Sequence, residues 1–426
     1  MSVFCQRALL RRATICLVIS AAFSTSAWAD DSDSSAAFAL EAYGEILYQH
    51  YNFGPDQKTG DEGSPPDDRA IVDLPRLVFE AKYWFEDDLF MEAEFEVEHG
   101  GTGAAMELEY EEFGEFEQEV EKGGEIRLEQ FHITKQFSPE FNLRVGQVIV
   151  PICLTNRHHR PGDFFGAVRP EAEESLIPLT WSETGLMLLG DAAGFHYRAG
   201  IVNGLTSAGF SSKFWVRDGH QGRFEFIRAD NLAAFFMLEH EPLDGLTLGA
   251  SGYRGNSSGN RPRDDMDGID ANVTIGELHA QYAAHNITAR AMYLHGHLQN
   301  ADQVSAKNSR LSAALETART PVASEARILA AELGYDFLPL FDATSDLRLQ
   351  AFVRWEQFNS MHATAAPVFA DPRFKRTVAT FGLNFIPHRD IVVKSDYSIR
   401  TLGDERFNTE HTFSLAVGFS ADLISR

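Results

Sequence analysis

Residues 76–98 read RLVFEAKYWFEDDLFMEAEFEVE, two runs in which apolar and polar side chains largely take turns. In the first, Leu77, Phe79, Ala81 and Tyr83 alternate with Arg76, Glu80 and Lys82. In the second, Leu89, Met91, Ala93, Phe95 and Val97 alternate with Glu92, Glu94, Glu96 and Glu98. A period of two sorts side chains onto opposite faces of an extended strand, and a helix has no use for it. One face of each run is wholly apolar and the other densely charged, so the pair predicts two strands between an oily medium and a wet one.

The same pattern extends in both directions. Upstream, Phe38, Leu40, Ala42, Ile46 and Tyr48 alternate with Glu41, Tyr43, Glu45 and Gln49. Downstream, candidate strands lie near residues 125–137, 140–149, 183–190, 194–203, 229–241, 244–254, 270–283, 286–297, 325–337, 345–358, 373–386, 389–400 and 410–422, about sixteen in all. Short turn sequences such as Gly190 to Gly194, Pro242 to Gly245 and Pro387 to Asp390 take turns with longer connections such as Pro151 to Trp181. Beyond Ala29 no run of even a dozen apolar residues occurs, which excludes transmembrane helices. A membrane protein of this composition can only be a closed antiparallel β-barrel, because a barrel satisfies every backbone hydrogen bond within itself. Trp84, Phe85, Phe90, Phe137, Phe141, Phe195, Tyr335, Phe337 and Phe341 lie near the turns, where an interfacial aromatic girdle belongs.

The N-terminus fits export. Arg7, Arg11 and Arg12 precede an apolar stretch from Ala13 to Ala22 and the triplet Ala27-Trp28-Ala29, so residues 1–29 read as a cleaved signal peptide and residues 30–426 as the barrel. Cys5 and Cys16 leave with it, so Cys153 alone remains and no internal disulfide can form. Loss of the three arginines takes the formal charge from −25 to −28, which argues against nucleic acid as a partner. The expected location is the bacterial outer membrane. The expected partners are its lipid, its assembly machinery and small hydrophilic solutes or ions; no cofactor is called for.

Three stretches resemble the phosphate-selective porins O and P: LRVGQVIVPICLTNRHHRPGDFFGAVRPEAEESLIPLTWSETG from Leu143, YRAGIVNGL from Tyr197 and GELHAQYAAHNITARAMYLHG from Gly276. The resemblance implies a sixteen-stranded barrel, usually a homotrimer, whose third long loop folds into the lumen; here that loop is Pro151 to Trp181. It also implies pore-lining cations, which carry over to Arg157, Arg160 and Arg169 of the loop as candidate determinants of anion selectivity. Alternation independently puts Arg144, Arg198, Arg348, Arg354, Arg376, Lys394 and Arg400 on the lumen face, either lining a path for solute or paired with neighbours such as Glu356 and Asp396. Glu41, Glu45, Glu80, Glu92 and Glu94 form an acidic wall on the first three strands, across the closing seam from the basic set. Opposed charges of this kind favour a pore for small hydrophilic solutes, and the resemblance implies anions such as phosphate among them.

Other features point elsewhere with less support. The glutamates from Glu107 to Glu121 would repel anions and could hold Ca²⁺ or Mg²⁺, yet they lack the spacing of a calcium loop. His158-His159 has no third metal ligand beside it in sequence. Gly101-Thr102-Gly103 lacks the rest of a dinucleotide fingerprint, and no nucleophile motif occurs. A barrel acting as an enzyme, adhesin or structural anchor is the alternative function class. N-terminal sequencing of protein extracted from outer membranes is expected to begin at Asp30; retention of Met1 would overturn the leader assignment.

Overall fold

In the computed structural model the described residues are 37–55, 66–101, 107–108, 118–119, 124–221, 227–311, 317–342 and 345–425. The leader lies outside them, as do the side chains of the acidic stretch from residue 102 to residue 123.

Sixteen antiparallel strands close on themselves. They are β1 (Ala37–Pro55), β2 (Pro66–Glu86), β3 (Leu89–Glu98), β4 (Glu125–Ser138), β5 (Phe141–Ile149), β6 (Ser182–Ala192), β7 (Phe195–Asn203), β8 (Leu232–Leu243), β9 (Leu246–Asn256), β10 (Asn272–Ala284), β11 (Ile287–Leu298), β12 (Glu325–Asp336), β13 (Arg348–Ala363), β14 (Lys375–His388), β15 (Ile391–Leu402) and β16 (Glu410–Ile424). Each strand pairs with its neighbour in sequence, and β1 pairs with β16 through Ile46↔Val417 and Tyr48↔Leu415. A two-residue ribbon, Glu107–Leu108 against Gln118–Glu119, stands outside the barrel sheet.

The two ends of the barrel differ, as alternating joints require. One end is made of tight turns, such as Ala193-Gly194 and His285-Asn286, in which both residues have positive φ. That is the geometry a two-residue hairpin needs to match strand twist. The long connections emerge at the other, loop end, except the one from residue 337 to residue 347 between β12 and β13, which lies at the turn end. The strand starts near residue 76 and ends near residue 358 inferred from alternation were too short. β2 begins at Pro66 and β13 runs to Ala363, because segments such as Asp67 to Asp73, where Ala70, Ile71 and Val72 stand consecutively between charged residues, pair without showing clear alternation. Pro75, which has no N–H to donate, sits where the register slips between Glu45↔Arg76 and Leu47↔Asp73.

The burial is inverted relative to a water-soluble protein. Ile46, Phe95, Leu278, Val353, Leu383 and Val417 are exposed on the outside, while Glu94, Glu129, Arg354 and Glu356 are buried inside. Phe85, Phe137, Phe141 and Phe195 are exposed near the turn end, in keeping with a girdle.

An apolar core nevertheless exists, inside the barrel at its loop end. Ile152, Leu176 and Trp181 from the third loop, Phe210, Trp215 and Val216 from the fourth, Met266 from the fifth, and Val304 from the helix Ala301–Asn308 pack against Val202, Phe235, Ile275, Leu294 and Ile328 of the wall. Gly296 admits the Trp215 ring: a Cβ there would lie 2.0 Å from Trp215 Cη2. Leu278, 60% exposed, faces out and Gln281 on the same strand faces in. Arginine at Leu278 is therefore expected to cost about 2–4 kcal/mol of folding free energy in bilayers, and arginine at Gln281 much less, as measured by denaturant titration in vesicles. Equal losses would refute the register.

Candidate constriction site in the lumen

The third loop joins β5 to β6 and lies inside the barrel, as expected from the sequence. Its base is closed by the Asn156 side chain: Trp181 N–H donates to Asn156 Oδ1 at 2.5 Å and Asn156 Nδ2 donates to the Val150 carbonyl at 2.5 Å. Within it runs one short helix, α1 (Glu171–Leu176), whose Glu173 accepts from Thr155 N at 2.9 Å and Thr155 Oγ1 at 2.7 Å.

A loop in a lumen carries unpaired backbone groups, and the wall supplies partners for them. Lys394 Nζ donates to the carbonyls of Phe164 and Gly166 at 2.7 and 2.9 Å. Ala167 N–H donates to Asp396 at 2.6 Å and Ala172 N–H to Glu356 at 2.9 Å. Phe165 stacks on Phe352 with centroids 5.3 Å apart, over Gly334, where a Cβ would lie 2.2 Å from the ring.

The cations anticipated from the sequence divide into three groups. In the loop, Arg157 pairs with Glu239, Arg160 reaches Glu41 and also Glu80 at 2.9 Å, and Arg169 donates to Thr180 at 3.1 Å with Glu174 at 3.6 Å. On the wall, Arg354 pairs with Glu356 at 3.0 Å, while Arg376 and Arg400 share Glu171 at 3.0 and 2.8 Å. Arg354, Arg376 and Lys394 point into the barrel but are buried beneath the loop, and Arg348 pairs with Asp336 at the turn-end rim. The third group is different. Arg144 donates to Thr134 Oγ1 at 3.1 Å, and among the described residues neither it nor Arg198 has a carboxylate within ion-pair distance. Arg157 and Arg160 therefore fasten the loop to the wall, and Arg169 braces the loop against itself, because a buried guanidinium is stabilised where a carboxylate meets it.

The acidic wall is likewise occupied. Glu45 meets Arg76 at 3.3 Å, Glu92 meets Lys82 at 2.8 Å and His132 at 3.3 Å, and Glu94 accepts from Tyr43 and Gln130. Reading the sequence did not single out Arg76, Glu171, Glu239 or Arg290 as site residues. Arg76 and Arg290 carry the same alternation signal as Arg144 and could have been found by it; Glu171 and Glu239 carry none that sets them apart.

No family model matches the chain. An uncharacterized protein of Aquifex aeolicus (strain VF5) is 26% identical over 374 residues, 87% of this chain and 77% of that protein. Among solved structures, Salmonella typhi OmpF in complex with daunomycin is similar with a TM-score of 0.53 and 15% identity, over 90% of this chain and 97% of that one. The outer membrane channel DcaP of Acinetobacter baumannii gives 0.52 and 10%, over 92% and 99%. An anion-selective porin from Comamonas acidovorans gives 0.50 and 7%, over 91% and 100%. The fold is that of the outer-membrane porins, a broader class than the phosphate-selective family that the sequence resembles.

Burial pushes the Glu173 carboxyl up to about 7, against the pull of its two Thr155 hydrogen bonds. A carboxyl raised in the folded state from about 4.3 in the unfolded one favours folding of the protonated form, so this contribution is lost as pH rises through 7. Glu173→Gln keeps an acceptor for Thr155 and carries no charge. It is expected to raise stability by on the order of 3 kcal/mol at pH 8.5 and to leave it unchanged at pH 4, as read from unfolding midpoints across pH. A pH-independent difference would refute the assignment.

Proposed function

We propose that the protein is an outer-membrane porin through which small hydrophilic solutes diffuse passively, with anions such as phosphate favoured. In this reading residues 1–29 direct export and are removed, the outer-membrane assembly machinery inserts the barrel among lipids with its long loops outward, and three copies form the working homotrimer. The observation that carries it is a barrel apolar outside and charged inside, with its third loop tied across the lumen by ion pairs to both walls. Such a loop narrows a channel and makes its charges act on everything that passes.

The anion preference rests on Arg144 and Arg198. Loop charges at a mouth are screened within about 8 Å at physiological ionic strength, whereas charges against low-dielectric walls act almost unscreened. Arg144 on β5 and Arg198 on β7 flank β6 on the wall, near Arg157, and among the described residues no carboxylate neutralises them at contact. Across the lumen, Glu41 and Glu80 are held by Arg160. Local field then outweighs the net charge of −28 that remains once Arg7, Arg11 and Arg12 leave with the leader.

Single-channel recording in planar bilayers is the test. Stepwise conductance and a reversal potential of anionic sign in asymmetric KCl are expected. Arg144→Gln with Arg198→Gln should shift that potential toward cations, while Arg169→Gln, whose guanidinium is buried and engaged, should change it little. Folded protein without conductance steps would overturn the pore, and an unmoved potential in the double variant would overturn the anion route.

A further inference from the structure

Where the third loop meets the acidic wall, three side chains from separate elements converge. One ligating atom each from Glu94 on β3, Glu129 on β4 and His159 on the loop all lie within 4.8 Å of one another, and all three residues are buried. The Tyr43 hydroxyl joins them, 2.9 Å from His159 Nε2 and donating to Glu94 Oε1.

The tautomer of His159 gives this convergence its meaning. Nδ1 lies 3.1 Å from the Asn156 carbonyl, an atom that can only accept, so Nδ1 carries the proton. In the neutral ring Nε2 then presents a lone pair toward Glu94 Oε1, 3.5 Å away. Two lone-pair donors facing one another in a dry site repel unless a cation lies between them. An imidazole oriented by a backbone carbonyl through its remote nitrogen is also the usual arrangement of a metal-ligating histidine.

Two further observations point the same way. Glu129 Oε1 accepts from Arg127 at 3.0 Å, but its buried Oε2 meets no donor among the described residues. The surrounding layer holds four buried carboxylates, Glu45, Glu94, Glu96 and Glu129, against the guanidinium groups of Arg76 and Arg127. Arg169 is nearby but engaged by Glu174. Uncompensated buried charge costs several kcal/mol per ion, so this layer accommodates additional positive charge, supplied by a bound cation or by protons.

We propose that Glu94, Glu129 and His159 form a binding site for a divalent transition cation of the zinc type, which clamps the third loop to the β3–β4 wall. One imidazole nitrogen with two carboxylate oxygens suits Zn²⁺ or Co²⁺ and disfavours Ca²⁺ or Mg²⁺, which take oxygen donors. A tyrosine hydroxyl or water completes four-coordination. The pair His158-His159, which offers no third ligand in sequence, thus acquires two carboxylates through the fold, by way of His159 alone.

The test uses the full barrel refolded in detergent and stripped with a chelator. Zn²⁺ titration by calorimetry should give one site per barrel, and Co²⁺ should give a visible d–d band typical of mixed nitrogen and oxygen donors. His159→Ala and Glu129→Gln should each weaken affinity at least about 100-fold, beyond what loss of an outer-sphere partner costs. Exposed His388→Ala and His362→Ala should not. Each variant is first checked for the migration shift of a folded barrel, and the Co²⁺ band of the unaltered protein supplies a readout needing no variant. No binding and no band would mean that the carboxylates hold His159 as an imidazolium, and would overturn the site. Binding that survives His159→Ala would place the metal on the surface and overturn it equally. Neither readout depends on conductance, so failure of the pore reading is distinguishable from failure of this one.

Discussion

The pairing of β1 with β16 is the contact on which everything else rests. In hydrocarbon a free strand edge strands N–H and C=O groups at several kcal/mol each, so a sheet that spans a bilayer must close or not exist. Here the seam runs from Leu40↔Ile424 to Asn52↔His411, with one irregularity near its end. Closure fixes the alternation in every strand at once. A slip of one residue in β3 would put Glu92, Glu94 and Glu96 into lipid, and their burial inside shows which register wins.

Closure also creates an interior too wide for the side chains of its own wall, and the chain fills it in two different ways. At the loop end the filling is apolar and behaves like the core of a soluble domain, with Trp181 and Trp215 fully buried among aliphatic neighbours. Across the middle the filling is the third loop, whose backbone is polar and whose contacts with the wall are ionic. Lys394 and Asp396 serve backbone groups of the loop, Phe164 to Ala167, in place of the bonds a strand neighbour would have provided. Each buried pair roughly offsets its own desolvation, so the gain is a single defined loop position more than raw stability.

The barrel was legible in the sequence because lipid on one side and water on the other impose period two on every strand, and residues 76–98 show it without help from any other part of the chain. The direction of Arg144, Arg198 and Arg354 followed from the same rule. What each cation touches did not, since pairing depends on residues that closure and the loop bring together: Arg157 meets Glu239, 82 positions away, and Arg400 meets Glu171, 229 positions away. Alternation reports a face, and a loop carries no alternation to report. The strand ends failed for a related reason, since in the paired segment Asp67 to Asp73 the outward apolar side chains are only Ala70 and Val72, too short a run to betray a strand.

The balance of charge within the lumen follows from these two kinds of filling. Because the apolar core occupies the loop end beside β7 to β12, the polar groups of those strands are confined to their turn-end halves, where Arg198, Glu239, His279 and Arg290 lie. On β1 to β4 and β15 no residue of that core stands, and β13 and β14 give it only Phe358 and Val378, so charged side chains such as Arg69, Arg76, Glu94, Arg127, Arg376 and Arg400 continue up to the loop end. The two regions are joined by the loop arginines, Arg160 reaching the acidic wall and Arg157 the opposite one. A cation at either position does two things, holding the loop and cancelling the carboxylate that holds it. Under the proposed pore reading, the charges left to act on a mobile ion would be those with no structural duty, fewer and differently placed than a count of lumen-facing residues suggests. Arg144 and Arg198 belong to that small set because the third loop passes them without taking either as an anchor.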